Sequence, residues 1–401
     1  MTSEKETGYR WIILAVFVIS QFVLSIAGFG WGSLAPFLKK AMALNSIQIG
    51  LISSSFYFAS CIIGFPAGIL IDRYGVKTGL IFWLGFTGIP LFFLSFIHSY
   101  HIFLIFAALS GLGYGTGNPV ASKGLFIWFN QRVRGIVFGI RQAAVTIGGA
   151  TAGIFLVYLS GKMGPFFAIR IVSLIIILVM GVAIFFYRDP AGSDAGSYGG
   201  GKKKFEFKII FNNTPLLLLA VYMAMLGLTQ GGITTFLILY LNEALGYPLI
   251  MSGSFLAILL IGAAVGRIFW GLLSDRMFQG KRKPVLLIIS ALAFASVAVL
   301  AYWSKGWPDW LLMITVIVIG MSSVGWTAIG FLTVSEISDK DNTASAVGLA
   351  STIGLSGAFI SPIIFGIMSD YFSYSAAWSV LAVFCLLSFI LCLFIPIKSR
   401  E

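Results

Sequence analysis

Residues 11–38 carry no charged side chain, and uncharged apolar runs of this kind recur along the whole chain. About 20 apolar residues make a helix long enough to cross ~30 Å of hydrocarbon. Twelve such spans can be placed: 11–37, 47–70, 78–97, 101–127, 135–159, 166–187, 214–240, 249–273, 284–303, 308–333, 343–368 and 374–396. None alternates apolar and polar residues as a barrel strand does, so they are expected to be helices. Of the 401 residues 59% are hydrophobic and 10% charged, with a mean hydropathy of +0.99. Soluble domains are roughly a quarter charged, and a globule this size needs more polar surface than this chain supplies. The expectation is an all-α polytopic membrane protein. The polar start MTSEKETGYR runs into the first span without a small-residue cleavage site, so that span is expected to remain as a membrane helix. Cys61, Cys385 and Cys392 all fall inside spans, where they read as small hydrophobes; no disulfide or metal framework and no cofactor is expected.

The net charge of +12 is explained by where it lies. With a cytoplasmic N-terminus, the loops placed outside carry only Lys39, Lys40, Lys162 and Lys305. The inner loops and ends carry eighteen Lys and Arg, from Lys5 and Arg10 to Lys398 and Arg400. That bias puts both termini in the cytoplasm of an inner membrane, with some attraction to anionic lipid. It gives no reason to invoke nucleic acid. The Gly-, Ser- and Lys-rich stretch within 188–213 reads as a cytoplasmic linker. It separates six spans in 1–187 from six in 214–401.

The two halves repeat. GILIDRYGVK (Gly68 to Lys77) follows the second span and GLLSDRMFQGKRK (Gly271 to Lys283) the eighth, each with Gly-x-x-x-Asp-Arg, 203 residues apart. A weaker echo sets Gly139 and Gly148 against Gly348 and Gly357, offset by 209. Parallel repeats build transporters that bind their substrate near the membrane midplane.

On these residues the chain resembles the major facilitator superfamily over essentially its whole length. The family signature after the second span is matched by Gly68, Asp72, Arg73, Gly75 and Lys77, with Thr78 departing at the last basic position. The resemblance implies a twelve-helix fold of two six-helix pseudo-repeats. It also implies a conformational latch at Gly68, Asp72, Arg73, Gly75 and Lys77, with Asp275 and Arg276 in the second copy. In a latch of this kind Asp72 would bond backbone donors at a neighbouring helix N-terminus; the alternative is that these charges only satisfy the inside-positive bias. IWFNQRVRGIVFGI and GRIFWGLLSDR (Gly266 to Arg276) are similar to segments of bacterial organic-anion carriers of the oxalate/formate and monocarboxylate type. Their carboxylate-binding arginine falls on Arg267. The lysine that oxalate carriers place in the eleventh span is missing, as is the second-span arginine of nitrate carriers. Ala143 to Gly149 lacks the proline of the drug/proton antiporter motif.

Four basic residues remain inside spans: Lys123, Arg141, Arg170 and Arg267. Each costs about 2.5–3.5 kcal/mol on insertion scales at a helix centre, so each needs water, a partner or a task. No carboxylate falls deep in any span, and the natural missing partner is an anion. Arg267 and Arg141 are therefore candidate anion ligands. The alternatives are snorkelling to the interface for Arg267, and bonding to helix ends or lipid phosphate for Arg141. Lys123, nearer the cytoplasmic end of its span, is a further candidate ligand, and Arg170 reads as an anchor at the outer face. Asn118, Tyr114, Gln142, Gln230 and Trp326 are candidates to refine the site, although lone polar groups in membrane helices often only bond a neighbour. GLGYGTG (Gly111 to Gly117) is not a nucleotide loop; it lies in a span and suits close helix packing or a flexible bend. No catalytic set appears, so the chain is expected not to be an enzyme.

The leading expectation is a monomeric secondary transporter of a small organic anion, acting as antiporter or as cation or proton symporter by alternating access. Alternatives are a drug exporter, a proton-coupled sugar carrier, a carrier of an inorganic anion such as nitrate or nitrite, and a non-transporting sensor or lipid-handling protein on the same scaffold. The absence of a buried carboxylate counts against the drug and sugar readings.

Overall fold

In the lipid interior every backbone N–H and C=O must be bonded within the segment, and the helix is what these apolar runs form. The computed structural model describes residues 2–129, 131–188, 213–304, 306–338 and 343–396. The expected linker lies outside the described residues apart from its two end positions. The helices are α1 (Thr2–Ala41), α2 (Ser46–Leu94), α3 (Tyr100–Gly115), α4 (Gly117–Trp128), α5 (Gln131–Met163), α6 (Pro165–Phe186), α7 (Thr214–Glu243), α8 (Leu249–Arg276), α9 (Arg282–Ala301), α10 (Asp309–Ile319), α11 (Thr327–Ile337), α12 (Thr343–Tyr371) and α13 (Tyr374–Phe394). A π-turn, Gly320–Val324, joins α10 to α11.

Eleven helical segments among the described residues are long and apolar enough to cross a membrane. The expected fourth span is present too, as α3 and α4. Pro119 has no N–H for the carbonyl one turn back, and Thr116 N–H turns to Gly113 O at 3.1 Å, so the helix breaks. The expected second and third spans join into α2 through Gly75, whose φ of 84° and ψ of 167° only glycine adopts readily. That backbone requirement is the physical reason the loop signature carries a glycine there.

The chain groups into two compact units. The first comprises residues 1–37 and 55–203, the second residues 38–54 and 204–401. In the first, Gly111 and Gly115 of α3 bring their backbone onto Phe56 O and Ser60 O of α2, where any side chain would clash. Gly148 lays α5 on Phe22 O of α1 in the same way. In the second unit, Gly320 meets Leu259 O, Gly325 meets Ala263 O, and Gly357 of α12 meets Leu228 N of α7. Residues 38–54 group here through the Lys39–Glu243 ion pair at 2.8 Å and through Asp370, which accepts from Ser46 and Ile47 N–H.

These contacts carry the repeat into three dimensions. Phe56 and Ser60 correspond to Leu259 and Ala263 at the offset of 203 set by the two Asp-Arg loops. Gly148 and Gly357 make equivalent contacts at the offset of 209, and Gly139 and Gly348 both face open space. Gly111 matches Gly320 at 209, yet Gly115 matches Gly325 at 210. The extra residue is the π-turn, where Gly325 N–H bonds Gly320 O five residues back. Trp270 of α8 then donates its indole N–H to Met321 O at 2.7 Å.

Candidate functional site

Arg141 lies on the stripe of α5 that faces α1, two turns before Gly148. The close approach at Gly148 puts Arg141 within reach of Gln21, the one amide side chain in residues 11–38. Arg141 is 5% exposed. Its Nη2 donates to Gln21 Oε1 at 2.5 Å and to Asn118 Oδ1 at 2.9 Å, and its Nε is buried with no hydrogen-bond partner. Both acceptors are neutral, so a full positive charge is buried without a counter-charge among the described residues. Such a charge is costly even when hydrogen-bonded.

Around it the first unit assembles a short polar track. Gln21 Nε2 donates to Ser25 Oγ at 3.2 Å, and Ser25 Oγ donates back to Gln21 O at 2.7 Å. Tyr114, near the end of α3, is close enough to Arg141 for a direct electrostatic interaction. Its ring packs on Phe56 at 5.0 Å and its hydroxyl end lies over Gly28. Tyr57 donates to Gly28 O at 2.8 Å. Gly28 is needed for this: a Cβ there would sit 2.9 Å from the Tyr114 hydroxyl. Of the sequence candidates, Arg141, Asn118 and Tyr114 are thus brought together. Gln142, one residue on, is on the exposed side of α5. Lys123 is half-buried, and its Nζ donates at 3.1 Å to Ile71 O, within the Gly68 to Lys77 stretch. Arg170 Nε donates to Ser95 Oγ at 3.3 Å, and its guanidinium lies 4.0 Å from the centre of the Phe96 ring, at the end of α2.

In the second unit, Arg267 is half-buried on α8, between Gly266, which abuts Met321, and Trp270, which bonds it. Trp326 follows the π-turn, is 3% exposed and has an indole Nε1 with no hydrogen-bond partner. Its ring lies against Gly330 and Gly354. Gln230 is half-buried on α7, one residue before Gly231, whose backbone meets Ala358 of α12.

Of the expected latch, Gly68 faces open space, Arg73 lies over the Tyr74 ring at 5.4 Å, and Lys77 is exposed; the Asp72 side chain lies outside the described residues. In the second copy Arg276 is exposed, and Asp275 pairs with the side chain of Arg282 at 2.5 Å at the start of α9. Arg282 also forms a two-point pair with Glu336, Nε to Oε2 at 3.0 Å and Nη2 to Oε1 at 2.8 Å. Its Nη1 donates to Ser274 Oγ at 2.8 Å.

Gln21, Tyr57 and Arg282 are not among the residues singled out from the sequence. Gln21 had a signal there, as the lone amide in an otherwise apolar or hydroxyl-bearing span. Arg282 had none that distinguished it from its neighbours in a basic loop.

Comparison with known proteins gives a match to the Major Facilitator Superfamily over residues 17–334 and 257–401. The membrane sensor protein UhpC of Salmonella typhimurium is 24% identical, over 82% of this chain and 78% of its own. A probable hexose phosphate transport protein of Chlamydia pneumoniae is 24% identical over 90% and 85%. A probable galactarate/D-glucarate transporter, GudP of Bacillus subtilis, is 24% identical over 90% and 86%. Among solved structures, a bacterial homolog of the human lysosomal transporter Spinster, inward-facing and unoccupied, superposes with a TM-score of 0.82 at 16% identity, covering 96% of this chain and 97% of its own.

Proposed function

Since the chain belongs to the Major Facilitator Superfamily, we propose that it is a secondary transporter of a small organic anion, working by alternating access in an inner membrane with both termini in the cytoplasm. The observation that carries this reading is Arg141: a guanidinium 5% exposed, held by two neutral amide oxygens and with no carboxylate partner among the described residues. A buried cation without a counter-ion attracts an anion and repels a cation. Arg267 is the second unit's candidate ligand, and Asn118, Tyr114, Lys123, Gln142, Gln230 and Trp326 are candidates to shape the site. The repeat comprises the halves 1–187 and 214–401 joined by 188–213, with the Asp72 and Asp275 loops as latches.

Relatives named for hexose phosphate and for galactarate or D-glucarate support an organic anion. Binding that neutralises Arg141 favours exchange of one anion for another, or entry of the anion with a proton or other cation.

The test is thermal unfolding of the purified full chain with D-glucarate, glucose 6-phosphate, nitrate, a neutral sugar and a cationic drug. A ligand at about 100 times its Kd stabilises by roughly 2.7 kcal/mol. The organic anions are expected to protect the wild type and not Arg141→Ala or Arg267→Ala. Protection by sugars or cations alone, or unaltered protection of both variants, overturns the proposal.

A second reading draws on UhpC, a relative named as a membrane sensor. A sensor binds its anion without moving it, so saturable anion counterflow in proteoliposomes excludes that reading.

A further inference from the structure

A guanidinium meets a carboxylate or phosphate side by side through one of two parallel N–H pairs, Nη1 with Nη2 or Nε with Nη2. Both pairs contain Nη2. In Arg141 the two hydrogens of Nη2 face two acceptors, Gln21 Oε1 at 2.5 Å and Asn118 Oδ1 at 2.9 Å. Neither fork is open while both amides are in place. The amide orientations are not arbitrary, because a guanidinium only donates and so each amide must turn its oxygen toward it.

The two amides are held very differently. Gln21 is 5% exposed and fastened by its second bond to Ser25. Asn118 is exposed, sits in the first turn of α4 beside the break at Thr116, and its side chain makes no other hydrogen bond among the described residues. An anion that reaches Arg141 for a two-point contact must remove one of them, and Asn118 is the one free to leave.

We propose that Asn118 is an exchangeable stand-in for the substrate: its Oδ1 occupies Arg141 in the empty protein, and an oxyanion displaces it to complete a fork with Nη2. Gln21 stays in place as the positioning residue. The stand-in spares the empty site a bare buried charge, and by competing with the anion it weakens binding and speeds release. This inference rests on the reading of Arg141 as an anion ligand. It fits carboxylates and phosphate monoesters, which share the paired oxygens.

The experiment is titration calorimetry of the purified full chain with D-glucarate and with glucose 6-phosphate. The proteins are the wild type, Asn118→Ala, Asn118→Leu, Gln21→Ala and Arg141→Lys. Asn118 is exposed, so both of its variants leave the packing intact, and anion-free unfolding checks this. A lost bond to a charged group corresponds to about a tenfold change in Kd. Both Asn118 variants are therefore expected to bind about tenfold tighter. Gln21→Ala, which loses the holder of the guanidinium, and Arg141→Lys, which loses the fork, are expected to bind more weakly. If the Asn118 variants bind more weakly together with Arg141→Lys, Asn118 is a direct ligand and the stand-in is wrong. Unchanged binding in those variants also overturns it, since no competition then exists. The underlying reading fails separately: neither anion binds the wild type, or Arg141→Lys binds as well as the wild type. In that case the stand-in falls with it.

Discussion

Arg141 and Gln21 are 120 positions apart in the chain and 2.5 Å apart in the fold, guanidinium Nη2 to amide Oε1. Gln21 and Asn118 offer the buried charge amides where a carboxylate would have neutralised it, and that choice leaves the positive charge uncompensated among the described residues. It also gives a direct way to close the site from within.

Gln21→Glu sets a carboxylate where the amide oxygen now lies. The charge-assisted pair it forms is stronger than the present bond, so the empty protein is expected to gain about 1–2 kcal/mol. Anion affinity is expected to fall at least ~100-fold because Arg141 is neutralised. Unfolding curves with and without D-glucarate or glucose 6-phosphate measure both. A variant that binds anions as the wild type does removes Arg141 from the binding site.

Gly28→Ala separates the role of Tyr114 from the stability of the helix. Alanine is worth about 1 kcal/mol over glycine within a helix. Its Cβ would stand 2.9 Å from the Tyr114 hydroxyl, the far end of a side chain and so an obstacle that gives way more readily than backbone. Relief of that clash offsets the helix gain, so stability is expected to stay within about 1 kcal/mol. Transport is expected to fall several-fold as Tyr114 leaves Arg141. Counterflow that matches the wild type would put Tyr114 outside the site.

Much of this architecture was legible in the chain because the bilayer imposes it residue by residue. The uncharged run 11–38 became α1, and the glycine of the Gly68 to Lys77 loop proved to be a backbone requirement at Gly75. What stayed hidden depends on neighbours that hydropathy does not record. The bend at Thr116 falls where GLGYGTG allowed one, whereas the extra residue of the π-turn at Gly320–Val324 leaves no mark in the hydropathy of its run. Arg282 looked like one cation among Lys281 and Lys283, and only folding sets it between Glu336 and Asp275. Gln21 was visible as an isolated amide, but its meaning required knowing that α5 closes on α1 at Gly148.

The π-turn makes Trp270 a structural donor. Trp270 is 2% exposed and its indole N–H bonds Met321 O at 2.7 Å. Trp270→Phe keeps most of the ring and loses the donor. A buried carbonyl left without it costs about 1–3 kcal/mol. Trp310→Phe, at a side chain 60% exposed, is expected to change stability by no more than ~0.5 kcal/mol. Equal unfolding temperatures for the two variants would mean that Met321 O finds another donor. Because Arg267 lies one turn before Trp270 on α8, the same variant is expected to weaken anion binding more than its stability loss explains.

The internal repeat predicts matched outcomes at four glycines. A Cβ at Gly357 would lie 2.2 Å from Leu228 N, and one at Gly148 2.4 Å from Phe22 O; in both cases the obstacle is backbone, which does not move aside. Gly348 and Gly139, nine residues earlier in each copy, have nothing within 4 Å. Gly357→Ala and Gly148→Ala are therefore expected to destabilise by about 1–3 kcal/mol, through forced separation of α12 from α7 and of α5 from α1. Gly348→Ala and Gly139→Ala are expected to be neutral or to stabilise by up to ~1 kcal/mol, the helix-propensity gain alone. Thermal unfolding of the four variants reads this directly. The distinction matters for the site as well: Gly148→Ala pushes Arg141 away from Gln21, so it is expected to lower anion affinity, whereas Gly357→Ala is expected to cost stability without touching the Arg141 pair. If Gly148→Ala unfolds and binds like the wild type, the close approach of α5 to α1 is not what positions Arg141.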